Sequence, residues 1–208
     1  MGKNLDAAWG LQPWGPVLST QLFCVQTSPT IHFFHGDVVQ HGGSSLTTPI
    51  GWLPMVEDGD IVATGDQILG AIIGIFDEDM DPIAYIDVGR VGNSTIAGYL
   101  LVANHPDQLF VIQEDCDTTP IPATSSEMNV DMAIPALNQG TEATGLSLAE
   151  IDSDTAGDTA TLMLKLRHAH PDDAIPGTAT YHTRWIVSIN AHAYGSLGGD
   201  TLGKVTIA

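Results

Sequence analysis

Eight short apolar runs punctuate the chain. They are QLFCVQ, TIHFFH, QILGAIIGIF, IAYIDV, AGYLLVAN, QLFVIQE, ATLMLKLRH and TRWIVSINAH, starting at residues 21, 30, 67, 83, 97, 108, 160 and 183. Each is rich in β-branched or aromatic residues, and Gly, Pro, Asp, Asn and Thr separate them. Such spacing predicts a mainly β fold, a β-sandwich or jelly-roll-like barrel. The last two runs alternate with period two. Leu162, Leu164 and Leu166 share one face, against Thr161, Met163, Lys165 and Arg167. Trp185, Val187, Ile189 and Ala191 share one face, against Arg184, Ile186, Ser188 and Asn190. Both read as half-exposed strands. LFVIQED, residues 109–115, lacks polar alternation before its acidic end, so it reads as a central strand covered on both faces.

Between these runs the pattern changes twice. Residues 1–28 read as an irregular N-terminal arm carrying Trp9 and Trp14, although QLFCVQ at its end has strand character. Residues 117–158 hold no basic residue and are rich in Thr, Ser, Ala and Pro. They read as a long loop excursion inside a domain spanning 29–192, with TGLSLAEID as a helical turn. Residues 193–208 form a C-terminal extension.

With 208 residues, 22 Gly and 12 Pro, the composition fits one turn-rich domain. The balance of 25 Asp and Glu against 6 Lys and Arg, a formal net of −19, disfavours nucleic acid and anionic membranes as partners. Cys24 and Cys116 make no disulfide framework. The N-terminus has no apolar signal segment. The longest apolar run, ILGAIIGIF, is about half a membrane span. These features fit a soluble protein made in a reducing cytoplasm.

The candidate chemistry is broken at each motif. DEDMD places Asp77, Asp79 and Asp81 at calcium-loop spacing, but Pro82 stands where Gly is needed and Val88 where the closing Glu is needed. DSDTAGD puts Ala156 and Met163 in ligand positions. His168 and His170, alternating on a strand, would share one face, with His192 as a distant third ligand. That is similar to the metal-binding cupins and gives the alternative reading, a cupin-like metal-dependent β-barrel enzyme. The cupin pattern then wants Glu where Ala174 and Ile175 stand, and Gly where Leu162 stands. His32 and His35 fall on opposite strand faces. Glu114 and Asp115 point apart and read as a charged strand terminus. No catalytic, cofactor or metal residue is assigned.

Several segments together resemble one family. They are GLQP, GDVV, GDQILGAIIGIF, GYLLVANHPDQLFVIQED, the stretch NVDMAIP to LKLRHA, PDDAI and RWIVSINAH. They resemble the capsid decoration, or cement, proteins of tailed bacteriophages, closely over 98–192 and loosely over 30–76. The P-x-x-LFxIQED block is the most specific element. The resemblance implies a virion protein on the outer capsid surface, with no catalytic residues. It implies a homodimer or homotrimer that binds the major capsid protein. The candidate shell contacts are Lys165, Arg167 and Arg184, three of the six basic residues, which alternation turns away from the core as one patch. Trp9 and Trp14 on the arm are the second candidate contact.

Overall fold

The computed structural model describes residues 6–56, 67–93, 95–115, 119–134, 140–173 and 182–195. Cys116 and the extension beyond Gly195 lie outside them. The chain is mainly β, as the apolar runs predict. In the first third, β1 is Gln12–Pro13, β2 Thr20–Gln26, β3 Phe33–Phe34, β4 Val38–Val39, β5 His41–Thr48 and β6 Gly51–Val56. The middle third has β7 at Gly70–Phe76, β8 at Tyr85–Ile86, β9 at Ile96–Ala103 and β10 at Leu109–Gln113. Short strands follow: β11 Asn129–Val130, β12 Met132–Ala133, β13 Gly140–Thr141, β14 Leu146–Ser147 and β15 Glu150–Ile151. The last two are β16 Leu164–Ala169 and β17 Arg184–Ile189.

Two larger sheets share one core. The first has the order β4-β7-β9-β2-β6-β5 and curls into a nearly closed barrel. The second has the order β1-β10-β17-β16-β11. Phe23, Val25, Ile72 and Leu100 of the first meet Phe110, Ile112, Trp185 and Val187 of the second, all essentially inaccessible to solvent. Burial of this kind supplies most of the driving force for such a fold. The turn 104–108 carries the chain from β9 in one sheet to β10 in the other. Gln108 secures it, accepting the Leu18 N–H at 2.9 Å.

The arm is more ordered than its sequence suggests. Leu11 is fully buried, and β1 pairs with β10 through Gln12↔Val111 and Pro13↔Phe110. Gly10 makes this approach possible. At φ +70° its Cα faces the Gly36 carbonyl, and a Cβ there would lie 2.3 Å from that oxygen. QLFCVQ becomes β2, an interior strand between β9 and β6.

Three other expectations change. β17 is covered on both faces: Ile186 and Ser188 are buried along with Trp185, Val187 and Ile189. Its period-two pattern promised a half-exposed strand, but it lies between β10 and β16, and Arg167 reaches over it to donate to Ser188 Oγ at 3.2 Å. β10 is covered fully on one face only, with Phe110 and Ile112 buried but Leu109 and Val111 half-buried. The 117–158 excursion forms short paired strands, and TGLSLAEID gives β14 and β15 rather than a helical turn. Ile121, Val130, Met132 and Ile151 from this stretch enter the core.

The β5–β6 hairpin has no counterpart among the eight runs. HGGSSLTT is polar and glycine-rich, and tertiary pairing overrides its weak strand propensity.

Candidate functional site

The three basic residues proposed as a contact patch lie on the second sheet, and each already has a carboxylate partner. Lys165 Nζ and Arg167 Nη1 both reach Glu127 Oε2, at 3.1 and 3.0 Å. Both side chains stay on the one face that period-two alternation gives them, and the bulge after Leu166 shifts the register only from His168 onward. These two cations hold the Glu127 carboxyl below its ordinary range, the Lys165 hydrogen bond first.

Arg184 belongs to a second unit. Its backbone N–H donates to Asp173 Oδ2 at 2.6 Å, and its Nε donates to Asp173 Oδ1 at 2.8 Å. Nη2 also pairs with Asp173 Oδ1, and the Asp173 side chain is almost wholly buried. His170 Nδ1 lies 3.8 Å from the same carboxylate. Trp14 closes this unit with its ring edge-on to His170, centroids 4.8 Å apart. Arg90 pairs with Glu78 at 3.0 Å. All four described basic side chains are therefore ion-paired, and the expected patch consists of two locally neutralised groups.

A cavity of about 210 Å³ adjoins the first group, lined by Lys165, Arg167, Ser188, Asn190, His192 and Asp107 among others. His192 Nδ1 accepts the Tyr194 N–H at 2.9 Å, so the neutral ring carries its proton on Nε2. Burial, with a smaller contribution from His105, pushes the His192 pKa down to about 4.

The His-x-His pair does not converge. His168 is exposed at the end of β16, whereas His170 lies beyond the strand and is buried. Among the described residues, the groups able to share an ion are Asp6, Glu150 and His182, and His32, Asp87 and Glu142. Neither contains His168, His170 or His192. In the first group the ligand atoms lie within 4.8 Å of one another. Gln113 ties it together, donating to Glu150 Oε1 at 3.2 Å and accepting the Ala7 N–H at 3.3 Å. Burial, then the neighbouring Asp6 and Asp115 charges, pushes the Glu150 pKa up to about 7, while His182 offsets this in part. Beside it opens a cleft of about 540 Å³ walled by Trp9, Leu146 and Leu148. The acidic DEDMD turn is self-capped: Asp77 Oδ1 accepts the N–H groups of Asp79 and Asp81 at 3.0 and 2.9 Å.

Glu114 is the largest departure from the sequence reading. It is fully buried rather than a solvated strand end. Its carboxylate accepts N–H groups from Ile121, Thr183 and Trp185. Burial still pushes its pKa up, and those donors oppose the shift. The arrangement bolts the end of β10 to the start of β17.

No protein family, curated protein or solved structure matches the chain. No helix among the described residues is long and apolar enough to cross a membrane.

Proposed function

We propose that the protein is a structural virion component that decorates the outer surface of a tailed-phage capsid. It would stabilise the shell by bridging major capsid protein subunits, with no catalytic step. The observation that supports this reading best is how its motifs assemble. LFVIQ, from the most specific block of the resemblance, and RWIVSI, from its closing segment, pair in register from Leu109↔Ser188 to Gln113↔Arg184. The Glu of IQED then accepts the indole N–H of the Trp of RWIVSI. The two blocks are thus one structural unit, which explains why they occur together in one chain.

Charge fits the same reading. A capsid packed with DNA is a phosphate-rich interior, and a protein of net −19 is repelled from it but tolerated outside. An oligomer that grips several shell subunits gains effective concentration, so weak single contacts hold tightly together.

The test is a capsid stripped of the protein. Stripped shells should rupture at lower temperature than intact ones, and adding the protein back should restore resistance. Equal heat resistance with and without it would defeat the proposal.

A further inference from the structure

Residues 7–56 contain no Lys, Arg or Glu and a single Asp, in a chain with 25 acidic residues. That one carboxyl, Asp37, is buried. The surface built by β1 to β6 therefore carries no exposed carboxylate, Lys or Arg side chain of its own, and His41 at the far end of β5 from the hairpin tip is its one exposed imidazole. It does carry exposed apolar side chains: Val17 at 43%, Leu18 at 51%, Ile50 at 51% and Trp52 at 73%.

The topology gathers these four at one end of the first sheet. β2 and β6 run parallel, with Cys24 beside Met55. Counting back four residues along each strand sets Thr20 beside Gly51, so the chain entering β2 adjoins the hairpin tip. The tip is a tight turn, with Thr48 paired to Gly51 and the Thr48 hydroxyl donating to the Gly51 carbonyl at 2.8 Å. Along β6, Trp52 shares its face with Val56, which is buried in the main core. At Trp52 the same face has run past the core and stands open. β5 is the outer strand of this sheet, so its outward backbone groups have no strand beside them among the described residues. Natural edges are commonly blunted with charged residues or bulges; this edge carries no Asp, Glu, Lys or Arg, and an irregularity between His41 and Ser45 leaves Ser45–Thr48 as its regular stretch, at the hairpin tip.

We infer that the uncharged strip formed by Val17, Leu18, Ile50, Trp52 and the β5 edge is where two copies of this chain associate about a two-fold axis. Charge selects the occupant. Each copy carries −19, and contacts through acidic surface would set carboxylates against carboxylates, which is costly. A second copy presents the same neutral strip, so strip against strip avoids that cost. Such a contact is isologous and closes as a dimer. It leaves the ion-paired groups around Glu127 and Asp173 uninvolved.

The experiment is sedimentation of the isolated full chain across a concentration and salt series, without capsids, so failure here leaves the decoration proposal to its own test. The wild type should form a dimer that tightens several-fold as salt rises, because salt screens repulsion and breaks no interfacial ion pair. Trp52→Glu should weaken the dimer at least tenfold while the circular dichroism spectrum stays unchanged. Ile50→Glu, on the other side of the tip, should act in the same direction. A monomeric wild type, a trimer, a dimer that both variants leave intact, or a dimer that dissociates at high salt would each overturn the inference. A wild type that stays monomeric while Trp52→Glu abolishes capsid binding would assign the strip to the shell instead.

Discussion

The Glu114 carboxylate accepts the indole N–H of Trp185 at 3.3 Å, joining residues 71 positions apart. Both side chains are fully buried. The carboxylate is solvated by protein N–H groups in place of water, which is the condition for burying such a group.

Trp185→Phe should therefore cost about 1–3 kcal/mol from the carboxylate left short of a donor. Glu114→Gln should also destabilise, because its new NH2 would face N–H donors. In urea unfolding, a double-mutant cycle should show coupling between the two sites. Strict additivity would remove the pairing from the account of stability.

Asp37 makes stability depend on pH. Burial pushes its pKa from 3.8 to about 8, even though Oδ2 accepts the Phe34 N–H at 2.8 Å. Between those values the folded protein holds a proton that the unfolded chain has released. Stability from this group is complete below 3.8 and is lost as pH rises through 8, by about 1.4 kcal/mol per pH unit at most. Glu150, raised to about 7, acts in the same direction below that pH. His192, depressed from 6.5 to about 4, acts oppositely and loses stability as pH falls through that window. In the interval from 7 to 8 Asp37 contributes more of the slope than Glu150, which is completing its own titration there. The melting temperature should fall across this interval, and Asp37→Asn should flatten the fall. An equal slope in the variant would assign the dependence elsewhere.

Arg184 and the Lys165–Arg167 pair should respond differently to truncation. Arg184→Ala strands the buried Asp173 carboxylate and should cost about 3 kcal/mol, the low end for a broken buried pair because the guanidinium is partly solvated. Lys165→Ser and Arg167→Ser remove contacts to the exposed, solvent-screened Glu127 and should each cost clearly less than Arg184→Ala. Chemical denaturation of the three variants checks the order. Equal losses would mean that Asp173 finds another partner.

Gly10 and Gly15 test the arm. Both have positive φ, at +70° and +78°, but only Gly10 faces a backbone within 4 Å. Gly15→Ala should cost about 1–2 kcal/mol, from the left-handed conformation alone. Gly10→Ala adds a clash with the Gly36 carbonyl and should cost clearly more. It should also expose β1 to hydrogen exchange. Equal effects would show that the arm can lift away without penalty.

The β class and the positions of the longer strands other than β5 and β6 followed from the sequence, because period-two or continuous apolar runs bounded by turn residues have few other solutions. QLFCVQ and AGYLLVAN became β2 and β9 with shifts of a residue, and TRWIVSINAH became β17, which starts one residue in and stops three residues before the run ends. The net charge was equally legible, as was the stretch 7–56 with its single carboxyl and no Lys or Arg. Partnership belonged to the tertiary structure. Lys165 and Arg167 are basic and share a face in any reading, but only the position of the turn bearing Glu127 decides that they share one carboxylate. Glu114 is acidic in any reading, but only its neighbours Ile121, Thr183 and Trp185 decide that it is buried. Asp6, Glu150 and His182 have no common spacing that could announce them. Local pattern governs which face of a strand is apolar. What covers that face depends on contacts between residues distant in the chain, and no local periodicity encodes them.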